Sequence, residues 1–196
     1  MLKTKGGTME IIKEKEVCFT GHRPEKIMCV AGIDEPAVEM IKSMLYYQIY
    51  RAAEEGYEFF ISGLARGVDM WAAEYVIDLK KKYPRMKLIC AKPFENHQKS
   101  FHGKDLWELM NVLRHADEVV TVSREYSKNC YRLRNYYMVD NSSRLIAVVE
   151  NFRSGTGQTI NYARKKGIDI KMINISDYAL KENCENDKNS GIIRFT

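Results

Sequence analysis

No two of the five cysteines in this 196-residue chain stand as CxxC. Cys18, Cys29, Cys90, Cys130 and Cys184 are too scattered, and odd in number, to suggest a disulfide framework or a zinc knuckle, so reduced thiols are expected. No apolar run approaches the ~18 residues that a membrane span needs. The first sixteen residues are polar and charged, without the apolar segment of a secretory signal. A cytoplasmic protein with no membrane partner is the expectation. No GxGxxG and no GxxxxGK[ST] occurs, which removes the usual dinucleotide fingerprint and the P-loop. There is no dense basic run either. Arg124, Lys128, Arg132 and Arg134 form only a local cluster within a net charge of +5, an excess suited more to a small anion than to a long nucleic acid.

What is present is a regular switching of apolar period. With 45% apolar and 29% charged residues the chain is long enough for one buried core. Glu16 to Thr20 predicts a short buried strand; Asp34 and Pro36 then open a helix along Val38, Ile41, Leu45, Ile49 and Ala52 that Gly56 ends. Tyr57 to Ser62, Met86 to Ala91, Glu118 to Ser123, Arg144 to Val149 and Ile168 to Ile175 follow as strands. The helices between them are expected over Val68 to Tyr83, around Leu106 to Leu113, over Tyr131 to Asp140, and from Thr156 to Lys166. Arg144 to Val149 is apolar enough to be buried on both faces and to lie centrally.

Strands alternating with helices imply an α/β fold, Rossmann-like and doubly wound, with a mainly parallel sheet and helices on both faces. The natural first guess for strand order is 3-2-1-4-5-6. The domain is expected over residues 17–181, between a polar N-terminal extension, 1–16, and a polar tail, 182–196.

In such a sheet the turns after the strands converge on one edge. Gly21, His22 and Arg23 follow the first strand; Ser62-Gly-Leu-Ala-Arg-Gly-Val-Asp69 follows the second; Ser154-Gly-Thr-Gly-Gln-Thr159 follows the fifth. Gly63 and Gly67 let the second loop turn tightly and admit a ligand to backbone N–H groups, while Arg66 offers a planar fork to phosphate oxygens. The same loop also reads as a plain strand-to-helix turn with Asp69 as its cap. Ser154, Gly155, Thr156, Gly157 and Thr159 make a similar offer, with hydroxyls that suit a phosphate or a helix cap. His22 suits a phosphate or ribose, or a structural role, and Asp69 is better placed than Glu74 to meet a ribose. His97 and His102 lack a third ligand, so no metal site is expected. Pro93 with Phe94, and Trp71 with Tyr75, read as packing more readily than as a platform for a base.

Four ordered pieces then carry a resemblance: Cys18-Phe-Thr-Gly-His-Arg-Pro-Glu-Lys26, Ile61-Ser-Gly-Leu-Ala-Arg-Gly-Val-Asp-Met-Trp-Ala-Ala-Glu74, Arg134-Asn-Tyr-Tyr-Met-Val-Asp140 and Ser154 to Thr159. Together they span about Val17 to Ile175. The chain resembles the SLOG superfamily and most closely its YpsA-like branch. That resemblance implies a site for nucleotide-derived, ADP-ribose-like ligands, without implying an established reaction. The second piece and the Arg134–Asn135 pair also look like DprA, which binds single-stranded DNA. LOG-type phosphoribohydrolases place a glutamate where Thr159 stands here, and a hydroxyl cannot replace a carboxylate as base or cation stabiliser. Binding or sensing of a phosphate-bearing, nucleotide-derived ligand is therefore expected first, an N-glycosidic hydrolase second, and a single-stranded nucleic-acid binder third. No separate cofactor is implied, and the oligomeric state, homo-oligomer included, stays open.

Overall fold

The structure, a computed structural model, describes residues 15–180. Residues 1–14 of the expected extension, and the tail from 182, lie outside the described residues. Six strands form one all-parallel sheet: β1 (Glu16–Gly21), β2 (Phe59–Ser62), β3 (Lys87–Phe94), β4 (Glu118–Ser123), β5 (Arg144–Val149) and β6 (Asp169–Asn174). Six helices connect them: α1 (Pro24–Met28), α2 (Glu35–Glu54), α3 (Val68–Leu79), α4 (Gly103–His115), α5 (Cys130–Asp140) and α6 (Gly155–Lys166).

Side chains alternate across the pleat, so the inner strands feed two cores. Val17, Phe19, Phe60, Leu88 and Ile146 face the layer of α2, α3 and α4, where Ile41, Leu45, Ile49, Ala73, Val76 and Val112 are fully buried. Cys18, Ile61, Ile89, Leu145 and Ala147 face α5 and α6, meeting Met138, Val139, Ile160 and Ala163. The helix faces arise from three- and four-residue apolar spacing. Asp34 caps α2 by accepting from the Ala37 N–H at 2.9 Å, and Pro36 sits in its first turn.

Strand order is β4-β3-β2-β1-β5-β6, not the expected 3-2-1-4-5-6. Right-handed crossovers fix only which face a helix covers, so the fourth strand can extend the sheet past β3 as well as pair with β1. Here it becomes an edge, with Val119 45% exposed, and α5 carries the chain back across the sheet to β5. β5 is buried along its whole length between β1 and β6, one place from the edge rather than at the centre. Direction of growth thus reverses between β1 and β5, which is where open α/β sheets leave a crevice above their carboxyl ends. Element ends shift by a few residues: β3 runs on to Phe94, and α3 stops at Leu79 rather than Tyr83. The short α1 and the 3₁₀ turns at His97–Ser100 and Ile175–Tyr178 had no clear sequence signal.

Candidate functional site

The loops after β1, β2 and β5 meet at one edge, as expected, and enclose a cavity of about 820 Å³. Gly21, His22, Arg23, Arg66, Asp69, Arg134, Asn135, Ser154, Gly155 and Thr156 contribute to its wall. Five other expected site residues, Ser62, Gly63, Gly67, Gly157 and Thr159, do not; they hold the wall in place.

The β2–α3 loop folds around its own polar groups. Ser62 Oγ donates to the Asp69 carbonyl at 2.8 Å and accepts from the Leu64 N–H at 3.2 Å, while Asp69 Oδ2 accepts from the Ala65 N–H at 3.4 Å. Two N–H groups expected to face an anion are therefore already bonded. Leu64 is left-handed at φ 61°, a conformation costly without glycine, and its fully buried side chain anchors the turn. Gly67, at φ 86°, abuts the preceding loop: a Cβ there would lie 2.8 Å from Pro24 Cδ and 2.9 Å from the His22 carbonyl oxygen. Its role is to let two loops touch, and it borders a separate 220 Å³ recess beside Met70 and Trp71.

Beneath the cavity runs a buried polar chain. Arg134 Nη1 lies 3.5 Å from Asp69 Oδ2, with side-chain exposures of 5% and 7%, so each is the other's counter-charge. Arg134 Nε donates to Asn135 Oδ1 at 2.8 Å, Asn135 Nδ2 to Thr159 Oγ1 at 2.8 Å, and Thr159 Oγ1 to the Gly155 carbonyl at 3.0 Å. The chain ties α5 to the start of α6. Gly63 is needed because a Cβ there would lie 2.0 Å from Arg134 Nη1. Burial raises the Asp69 carboxyl, with Arg134 working against the rise, and burial lowers Arg134.

Charge is distributed unevenly around the opening. Arg66 pairs with Glu25 at 2.8 Å and Asp105 at 3.3 Å, so the expected phosphate fork sits between two carboxylates and that rim is net acidic. Arg23 and Lys26 also line the cavity and have no ion pair among the described residues. Lys26 was missed in sequence because nothing marked the short α1 that brings it here.

At the β1–β5 switch, His22 is buried and uses both ring nitrogens. The Glu150 N–H donates to Nε2 at 3.2 Å, which leaves the proton on Nδ1, 3.4 Å from Thr156 Oγ1. Burial, then Lys26, lowers its pKa, in keeping with a neutral ring. Ser154 caps α6 by accepting from the Gly157 N–H at 3.1 Å, and Gly157 admits the Phe152 carbonyl, which would lie 2.1 Å from a Cβ. At Gly155, by contrast, a Cβ would meet nothing within 4 Å. The first turn of α6 is open to the cavity there. Among the described residues no three of His, Cys, Asp and Glu come together to hold a metal, and no helix is long and apolar enough to cross a membrane.

His97 adds a titration signature. Burial, then Arg134 and Lys92, brings its pKa down to about 4. A folded value below the unfolded one near 6.5 means that stability from the neutral ring is intact above pH 6.5 and lost as pH falls toward 4; His22 acts in the same direction. Asp69, raised by burial, has the opposite sign. Urea unfolding between pH 7.5 and 4.5 should show that His97→Phe reduces the loss of stability on acidification; equal slopes for variant and wild type would contradict this.

Comparison with known proteins identifies the family. The YpsA family model, described as the YspA SLOG family, matches residues 17–178. The chain belongs to this SLOG family. UPF0398 proteins of Bacillus cereus strain B4264 and Bacillus thuringiensis strain Al Hakam are 30% identical over 156 and 159 residues. Those matches cover 78% and 80% of this chain and 84% and 86% of the relatives. Among solved structures, DNA processing protein A of Streptococcus pneumoniae has TM-score 0.56 at 18% identity, over 83% of this SLOG chain and 51% of the other. Its Helicobacter pylori counterpart, described by its single-stranded DNA binding mode, has TM-score 0.56 at 14% identity, over 85% and 68%. At such identities the likeness is one of fold. The SLOG chain spans about half the length of the Streptococcus protein.

Proposed function

We propose that this SLOG protein binds a phosphate-bearing, nucleotide-derived ligand of the ADP-ribose kind in the crevice above β1 and β5. The observation that carries the reading is the open first turn of α6 at Gly155, facing a cavity of about 820 Å³. A helix start presents free N–H groups and roughly half a positive charge to an anion. Arg23 and Lys26 add charge at the same opening, whereas Glu25 and Asp105 flank Arg66 and turn an anion away from the opposite rim. A phosphate is favoured at the α6 end on both counts. Asp69, at the cavity wall, suits a ribose hydroxyl. Binding is favoured over N-glycosidic cleavage because Thr159 is a buried hydroxyl already bonded to Asn135 and the Gly155 carbonyl.

The fold shared with the Helicobacter DNA processing protein A supports single-stranded DNA as a second reading. The two readings differ in salt dependence, because each neutralised phosphate of a strand releases counterions. Fluorescence anisotropy with a short single-stranded oligonucleotide, repeated at several salt concentrations beside an ADP-ribose titration, separates them. Measurable ADP-ribose binding with weak oligonucleotide binding is expected. Tight oligonucleotide binding that falls steeply with salt, with no ADP-ribose binding, would reverse the order.

A further inference from the structure

The cavity is longer than a phosphate needs. From α6, after β5, it reaches beneath the loop after β3, and β5 and β3 stand three strand spacings apart, roughly 14 Å at about 4.8 Å each. The far end differs in chemistry from the near one: His97, Phe101 and Tyr131 line it. His97 is wedged edge-on among rings, with centroids 5.1 Å from Phe101, 5.4 Å from Phe94 and 6.0 Å from Tyr131. Phe94 in turn meets Tyr131 at 6.2 Å and Tyr126 at 5.5 Å. These contacts fix the aromatic wall from behind.

Packing alone leaves one feature unexplained. His97 is 3% exposed, yet its Nδ1 has no hydrogen-bond partner among the described residues. Buried polar groups in native proteins are overwhelmingly bonded, and this nitrogen is itself closed to solvent, so the imidazole meets a ligand through its remaining edge or after a small shift of the ring that opens Nδ1. Tyr131 is only half-buried, which leaves ring surface available for stacking.

We propose that this end of the cavity is a nucleobase subsite: the heterocycle of the ligand lies against Tyr131 and Phe101, beside His97, while its phosphate sits at the start of α6. The subsite rests on the phosphate reading above and extends it, because it requires a ligand with a flat ring at a distance from the charge. Neither a free phosphate nor a phosphosugar meets that requirement. Stacked aromatic contact adds affinity for any base, and polar contact from the imidazole sets a preference among bases.

Calorimetry with AMP, GMP, CMP and UMP against ribose 5-phosphate, on wild type, Tyr131→Ala, His97→Phe and Gly155→Val, tests the assignment. In wild type the best nucleotide should bind at least about tenfold tighter than ribose 5-phosphate. Tyr131→Ala should bring that ratio close to one with ribose 5-phosphate affinity unchanged, and His97→Phe should flatten the preference among the four bases. Gly155→Val should weaken all ligands together and keep the ratio. Equal binding of nucleotide and ribose 5-phosphate in wild type overturns the subsite alone, even if a variant fails to fold. A ratio unaffected by folded Tyr131→Ala, or a base preference unaffected by folded His97→Phe, also overturns it. Absence of binding by every phosphate compound overturns the phosphate reading, and the subsite with it.

Discussion

Replacing Arg134 by Met should lower folding stability by about 3–5 kcal/mol, the typical cost of leaving one charge of a buried pair alone. Asp69 would remain 5% exposed without its cation. In a domain of this size the loss corresponds to a fall in Tm of about 10 °C. Arg134→Met with Asp69→Asn should regain most of it, because both charges are then gone while Asn can still accept from the Ala65 N–H that now bonds Asp69. Thermal and urea unfolding of the two single variants and the double variant closes the cycle. A single Arg134→Met variant as stable as wild type would show that the pair does not hold the loops together. The arginine resembles a ligand contact in sequence, and its guanidinium does reach the cavity wall, but its first function is to anchor Asp69.

Gly67→Val should lower stability by at least about 3 kcal/mol, since it adds a branched side chain at positive φ to a close contact with His22 and Pro24. Gly155→Val should stay within about 1 kcal/mol of wild type, because the new side chain meets only open space at the first turn of a helix. Urea midpoints for the two variants check the contrast directly. A stable Gly67→Val would mean that the two loops do not pack as described, and an unstable Gly155→Val would mean that the α6 start is not open.

These glycines also mark where sequence reading reached its limit. Alternating apolar periods were enough to place all six strands and the sheet edge where Gly21, Gly67 and Gly155 come together, since that convergence follows from parallel strands alone. Strand order was not legible, because nothing local distinguishes a β4 that extends the sheet past β3 from one that pairs with β1. Nor could sequence tell which glycine serves a ligand and which serves the chain: Gly63, Gly67 and Gly157 are filled by Arg134, Pro24 and the Phe152 carbonyl, and only the packed fold reveals it. The ion pairs of Arg66 were hidden for the same reason, its partners Glu25 and Asp105 being 41 and 39 residues away in sequence. His97, set aside as a metal ligand, gains significance from rings that lie before and after it along the chain.

Entry of an anion at the start of α6 is tested by one calorimetric comparison: ADP-ribose titrated into wild type and into Gly155→Val, with folding of both verified by unfolding curves. Wild type should bind, and the variant should be folded but at least about tenfold weaker, because its side chain occupies the space through which a phosphate reaches the helix N–H groups. Equal affinity of folded wild type and folded variant for ADP-ribose would show that no phosphate enters at the start of α6.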